Sequence, residues 1–182
     1  MPRIPAISGP DELAPEHRAV WDAIQGSRGQ VRGPFAMLLH SPELADRVAH
    51  LGAYVRFEGV LDARTKEVVV LATARELSCA FEWGAHSGEL ARAAGVTDEI
   101  IAAIRERRNT ALSAEDRQLV DYAQALVRDH AVDEAVVKAM ETRFGRKGIV
   151  ELTAQVGYYV LLGTVLNAFA VEPLEGSNIL PA

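Results

Sequence analysis

The side chains best suited to chemistry fall in one short stretch of the sequence, from Glu67 to His86. Placed on a single helix, Cys79, Glu82 and His86 stand at i, i+3 and i+7, so the three share a face. Ser78 reads as the N-cap of that helix. Cys79 then lies in the first turn, where unpaired N–H groups and the positive dipole end favour thiolate over thiol. Glu82 comes one turn before His86 and would orient its imidazole, as a general acid–base pair requires. Glu67 arrives from the preceding helix, and an antiparallel pairing would bring it opposite Cys79 as a second proton-relay carboxylate.

Three chemistries use these groups. Glu82 and His86 suit proton transfer, Cys79 suits thiol chemistry, and Glu67, Glu82 and His86 form a minimal metal-ligand set. The last is the weakest, because nothing nearby adds to one histidine and two carboxylates, so no metal is expected. The same residues also have an ordinary explanation. Glu–His pairs four apart are common on helix surfaces, and a lone cysteine usually serves as a small core residue. Trp83 and Phe81 flank the set; aromatics at such spacing are usually core, and Trp83 is the one retained as a substrate-stacking candidate.

The elements that must position these groups read as helices throughout, with no convincing strand pair. Ala14 to Gln25 is the first, and a short helix is expected over Pro34 to His40. Ser41-Pro42 restarts the chain as N-cap and first helical residue. Asp62 caps a helix running towards Leu77. Its Val68-Val69-Val70 run is β-branched, but the flanking Thr65-Lys66-Glu67 and Ala72-Thr73-Ala74 make the segment too long and Ala-rich for a strand. A helix from Cys79 to Ala94 stops at Gly95, Thr97 and Ser113 cap the next two, and the last pair, near 133–144 and 148–171, separates around Gly145. The expectation is an all-α bundle in which the Glu67 helix and the Cys79 helix form a central hairpin beside the long C-terminal helix.

Composition narrows the partners. The 182 residues suit one domain, with 1–60 as a helical extension, 61–172 as the core and 173–182 as a tail. A net charge of -6 argues against unaided nucleic-acid binding. One cysteine excludes an internal disulfide, and no apolar leader stands at the start, so a cytoplasmic location is expected. Leu152 to Val171 is uncharged and long enough to cross a bilayer. Thr153, Gln155, Thr164, Asn167, Gly157 and Gly163 interrupt it, so it reads as a core or subunit-interface helix rather than a membrane span.

Arg64-Thr-Lys-Glu67, Cys79-Ala-Phe-Glu82-Trp-Gly-Ala-His86 and Gly95-Val-Thr-Asp-Glu-Ile100 together resemble the carboxymuconolactone decarboxylase and alkylhydroperoxidase-D superfamily. Gly157-Tyr-Tyr and Leu166-Asn-Ala-Phe169 resemble its longer members. In the hydroperoxidase branch the motif is a glutamate, Cys-x-x-Cys, and a histidine four residues on. Glu67, Cys79 and His86 match it, whereas Glu82 replaces the second cysteine, so an intramolecular dithiol cannot form. The decarboxylase branch resembles the Glu82–His86 arrangement and works without metal or organic cofactor. The resemblance therefore implies a lyase acting on a small unsaturated or lactone carboxylic acid. A single-cysteine hydroperoxidase using Cys79 and a non-catalytic oligomeric binding protein are the alternatives, and a homo-oligomer, trimer or hexamer, is implied in each case.

Overall fold

The computed structural model describes residues 2–181. Among these the chain is all helical, with no strand. Its principal helices are α1 (Arg18–Arg28), α2 (Pro34–Leu38), α3 (Pro42–Ala53), α4 (Ala63–Glu76), α5 (Ala80–His86), α6 (Glu89–Ala93), α7 (Asp98–Arg105), α8 (Ala114–Arg128) and α9 (Glu134–Ala168).

The organising element is α4. Asp62 starts it as expected, accepting from the Thr65 N–H at 2.9 Å and the Thr65 hydroxyl at 2.7 Å. Every residue from Val68 to Arg75 is buried, so this helix is covered on all sides and is not amphipathic. Its valine run is helical, because α8, α9 and α5 all pack around it and their burial outweighs the β-preference of branched side chains. The expected hairpin of α4 and α5 beside α9 is present. Gly145, with φ 69° and ψ 172°, breaks α9 where two helices were expected to separate.

Two buried clusters meet along α4 and α9. One joins α4, α7, α8 and α9 with Trp83. The other sets Trp21, Ile24, Phe35, Leu38, Leu39 and Val48 from the N-terminal helices against Val70, Tyr158, Tyr159 and Leu162. The seam between these clusters holds the candidate site.

The helix expected from Cys79 to Ala94 is two helices. It breaks at Ser87 and Gly88, between α5 and α6. Its start also differs: Ser78 adopts a left-handed φ of 50°, and Cys79 takes the N-cap position in extended conformation. After α9 the tail crosses α5, where Asn178 donates to the Ser87 carbonyl at 2.8 Å.

Between α3 and α4 the chain makes one π-helical turn, Tyr54–Glu58, closed by Gly59 N–H donating to the Tyr54 carbonyl at 3.0 Å. Glu151 of α9 holds this turn at both ends, accepting from the Tyr54 hydroxyl at 2.7 Å and the Val60 N–H at 2.6 Å. Arg56 sits in the middle of the turn.

Candidate active site

His86 occupies the last turn of α5 and is buried, 5 % exposed. Its Nδ1 lies 2.8 Å from Glu67 Oε2, and its Nε2 lies 3.6 Å from Glu82 Oε2. An ionised carboxylate can only accept, so Nδ1 carries the proton towards Glu67. Tyr159 closes one side of the imidazole edge-on, with ring centres 5.4 Å apart. The carboxylate that orients the ring is therefore Glu67, across the α4–α5 hairpin. Glu82, one turn away on the same helix, had been expected in that role and stands farther off.

The two carboxylates open on different cavities. Glu82 lines one of about 450 Å³ with Arg28, Arg32, Arg56, Tyr158 and Tyr159. Glu67 lines a second, of about 260 Å³, with Lys66, Gln155 and Tyr159. Arg56, Leu90 and Tyr159 border both, while His86 lines neither. The imidazole thus bridges two mouths, each guarded by one carboxylate. Because Glu67 and Glu82 face opposite ring nitrogens, they do not converge on one point as metal ligands would. Among the described residues no group of three or more His, Cys, Asp or Glu is disposed to hold a metal.

Burial pushes the Glu82 carboxyl above the ordinary carboxylate range, and Glu67 adds to the rise; His86 and Arg56 oppose it. A carboxyl held towards its neutral form in a cavity wall can donate a proton. Burial also raises the Tyr159 phenol well above its ordinary range, and the neighbouring Glu82 and Glu67 carboxylates add to that. Its hydroxyl therefore remains a donor.

Cys79 departs from expectation. It is fully buried against Phe81, Leu166, Leu77, Val171 and Leu174, and it lines neither cavity. Desolvation pushes its thiol up to about 11, and the Glu82 charge adds to the rise. The helix start was expected to favour thiolate. Its backbone N–H groups do act in that direction, but burial outweighs them. Trp83 is likewise fully buried, in the main core, and borders neither of the cavities next to His86. Its Nε1 is buried without a hydrogen-bond partner.

The arginines are what the sequence reading missed. Arg28 and Arg32 lie far from Glu82 along the chain, and only the packing of α1 and α2 over the seam brings them to its cavity. The positioning of Arg56 depends on a π-turn that no local motif announces.

The sequence model of the Carboxymuconolactone decarboxylase family matches residues 42–125. An uncharacterized protein of Escherichia coli, YnjA, is 26% identical over 132 residues, 72% of each chain. A peroxidase-related protein from Ralstonia eutropha, described as having an alkylhydroperoxidase AhpD core, superposes with a TM-score of 0.78 at 20% identity, covering 96% of this chain and 93% of its own. A second peroxidase-related protein, from Silicibacter sp., gives 0.75 at 17% identity, covering 96% and 94%. These two structures share the fold.

Proposed function

We propose that this chain, whose residues 42–125 match the sequence model of the Carboxymuconolactone decarboxylase family, is a cofactor-free lyase removing carbon dioxide from a small unsaturated or lactone carboxylic acid. One observation carries this reading: the row Glu67–His86–Glu82, buried at its centre and open to a cavity at each end.

Decarboxylation breaks a C–C bond and leaves its electron pair conjugated with a carbonyl as an enolate. The site must stabilise that charge and then deliver a proton to carbon. Glu82, held towards its neutral form at the cavity wall, supplies the proton that forms the new C–H bond. Glu82 lines the larger cavity and regains its proton from water there once the product leaves, while His86, held at Nδ1 by Glu67, keeps Nε2 3.6 Å from the Glu82 carboxyl and positions it. The buried, high-pKa thiol of Cys79 supports acid–base chemistry over thiol chemistry.

The test is release of carbon dioxide from a panel of unsaturated lactone acids. Glu82→Gln and His86→Ala are expected to lower kcat by roughly 10²–10⁴-fold, the usual worth of a positioned proton donor. Full turnover by His86→Ala would overturn the assignment. Peroxide consumption abolished by Cys79→Ala would move the chemistry to the thiol.

A further inference from the structure

The larger cavity carries a charge pattern that the proton relay does not use. Arg28 enters it from the last turn of α1, Arg32 from the following loop and Arg56 from the π-turn. Among the described residues no carboxylate stands within ion-pairing distance of any of these three guanidinium groups. Other arginines of the chain meet carboxylates: Arg64 grips Asp116 at 2.6 and 3.0 Å, and Arg107 meets Glu76 at 2.8 Å. The only carboxylates on the cavity wall are Glu82, which burial biases towards its neutral form, and Glu89, which is exposed.

The cationic wall is also built. The Arg28 guanidinium lies 4.2 Å from the centre of the Phe35 ring and donates to the Ala49 carbonyl at 3.1 Å. Gly52 makes room for it: a Cβ there would fall on the Tyr158 hydroxyl and come within 2.7 Å of Arg28 Nη2. Phe35, Phe81 and Leu162 add an apolar surface to the same cavity. Planar guanidinium groups match the geometry of carboxylates and phosphates, and removing such a cavity from water is costly until an anion enters.

We propose that Arg28, Arg32 and Arg56 form an anion-reading subsite. It holds a negatively charged group of the ligand, separated by an unsaturated or aromatic skeleton lying on Phe35, Phe81 and Leu162 from the atom that meets Glu82. This rests on the lyase reading only for the reacting end; the anion subsite stands on its own geometry. Arg28 and Arg32 precede residue 42, where the family match begins, so the N-terminal segment sets ligand choice in this chain.

The experiment measures binding, not turnover. Calorimetry and thermal shift are run on the full chain, as wild type and as His86→Ala, with benzoate, methyl benzoate and inorganic phosphate as ligands. Benzoate is expected to bind both proteins and the neutral ester neither. Arg32→Ala and Arg56→Ala are each expected to weaken benzoate roughly tenfold, the worth of one charge-assisted contact. Phosphate binding more tightly than benzoate, with the same arginine dependence, supports the subsite and assigns it to a phosphorylated ligand. Ester binding equal to acid binding, indifference to both arginine variants, or no binding of either anion overturns it. Because His86→Ala is included, anion binding without any lyase activity separates a failure of the proposed reaction from a failure of the subsite.

Discussion

Modification of Cys79 tests the central claim about this site most directly, because its rate can be worked out in advance. A free cysteine has a pKa near 8.5, so at pH 7.5 roughly one thiol in ten is thiolate. With the Cys79 thiol pushed up to about 11, only about one in 3,000 is. The ionisation difference alone slows alkylation on the order of 300-fold relative to a free thiol, since thiolate is the nucleophile. Full burial slows it further. The assay follows iodoacetamide or hydrogen peroxide by intact-chain mass spectrometry between pH 6.5 and 10, with glutathione as reference and a urea-unfolded control. The rate should rise about tenfold per pH unit across the whole range without levelling off near pH 8.5, and unfolding should restore the reference rate. A native Cys79 that matches glutathione at pH 7.5, or levels off below pH 8, would refute both the burial argument and the preference for acid–base over thiol chemistry built on it.

Two further perturbations follow from named contacts. Glu82 has a folded-state pKa raised by burial, so its penalty is absent below the unfolded value near 4.3 and grows as pH rises towards the folded one, at about 1.36 kcal/mol per unit between them. Glu82→Gln should therefore be more stable than wild type at pH 7 and equal to it near pH 4 in urea titrations; equal stability at both would show that the carboxyl is not desolvated. Gly52→Ala places a methyl on the Tyr158 hydroxyl, which is buried and has little room to move, and should cost about 1–3 kcal/mol of stability. An unchanged urea midpoint would mean that Arg28 and Tyr158 do not pack as described.

The fold was legible because its signals are local. Asp62, Thr97 and Ser113 each accept from a backbone N–H at the helix start where a cap was expected, and Gly145 breaks α9 in the left-handed region that favours glycine. The candidate residues were legible as a set, since helical spacing brings Glu82 and His86 together and the hairpin adds Glu67. Their roles were harder to read. Spacing along one helix favours Glu82 as the partner of His86, but the approach of α4 puts Glu67 closer by 0.8 Å (3.6 against 2.8 Å). Cys79 was misread because helix-end electrostatics is a local rule, while burial depends on Leu166 and Leu174, far along the chain. The arginine wall was missed for the same reason, since it forms only when the N-terminal helices close over the seam.

On the proposed reading, position 82 selects between acid–base and thiol chemistry, and Glu82→Cys tests it. Cys79 is the N-cap of α5 and position 82 stands three residues on in its first turn, the spacing of a Cys-x-x-Cys disulfide. Glu82 lines the larger cavity and Cys79 does not, so peroxide entering there meets the introduced thiol first. That thiolate takes one oxygen, releasing water as sulfenic acid forms, and Cys79 then condenses with it, releasing a second water and closing the disulfide. Removing the Glu82 charge relieves only a minor part of the rise in the Cys79 thiol, because desolvation is the largest cause. Cys79 in the variant should therefore act as the resolving partner and never as the primary oxidation site. Trapping the sulfenic acid with dimedone and mapping it by peptide mass spectrometry checks the order. A first adduct on Cys79 would mean that the tail and α9 open readily enough to expose it, and that burial does not govern its reactivity. An adduct at position 82 alone would mean that a thiol on the cavity wall meets peroxide first and that burial keeps Cys79 from doing so.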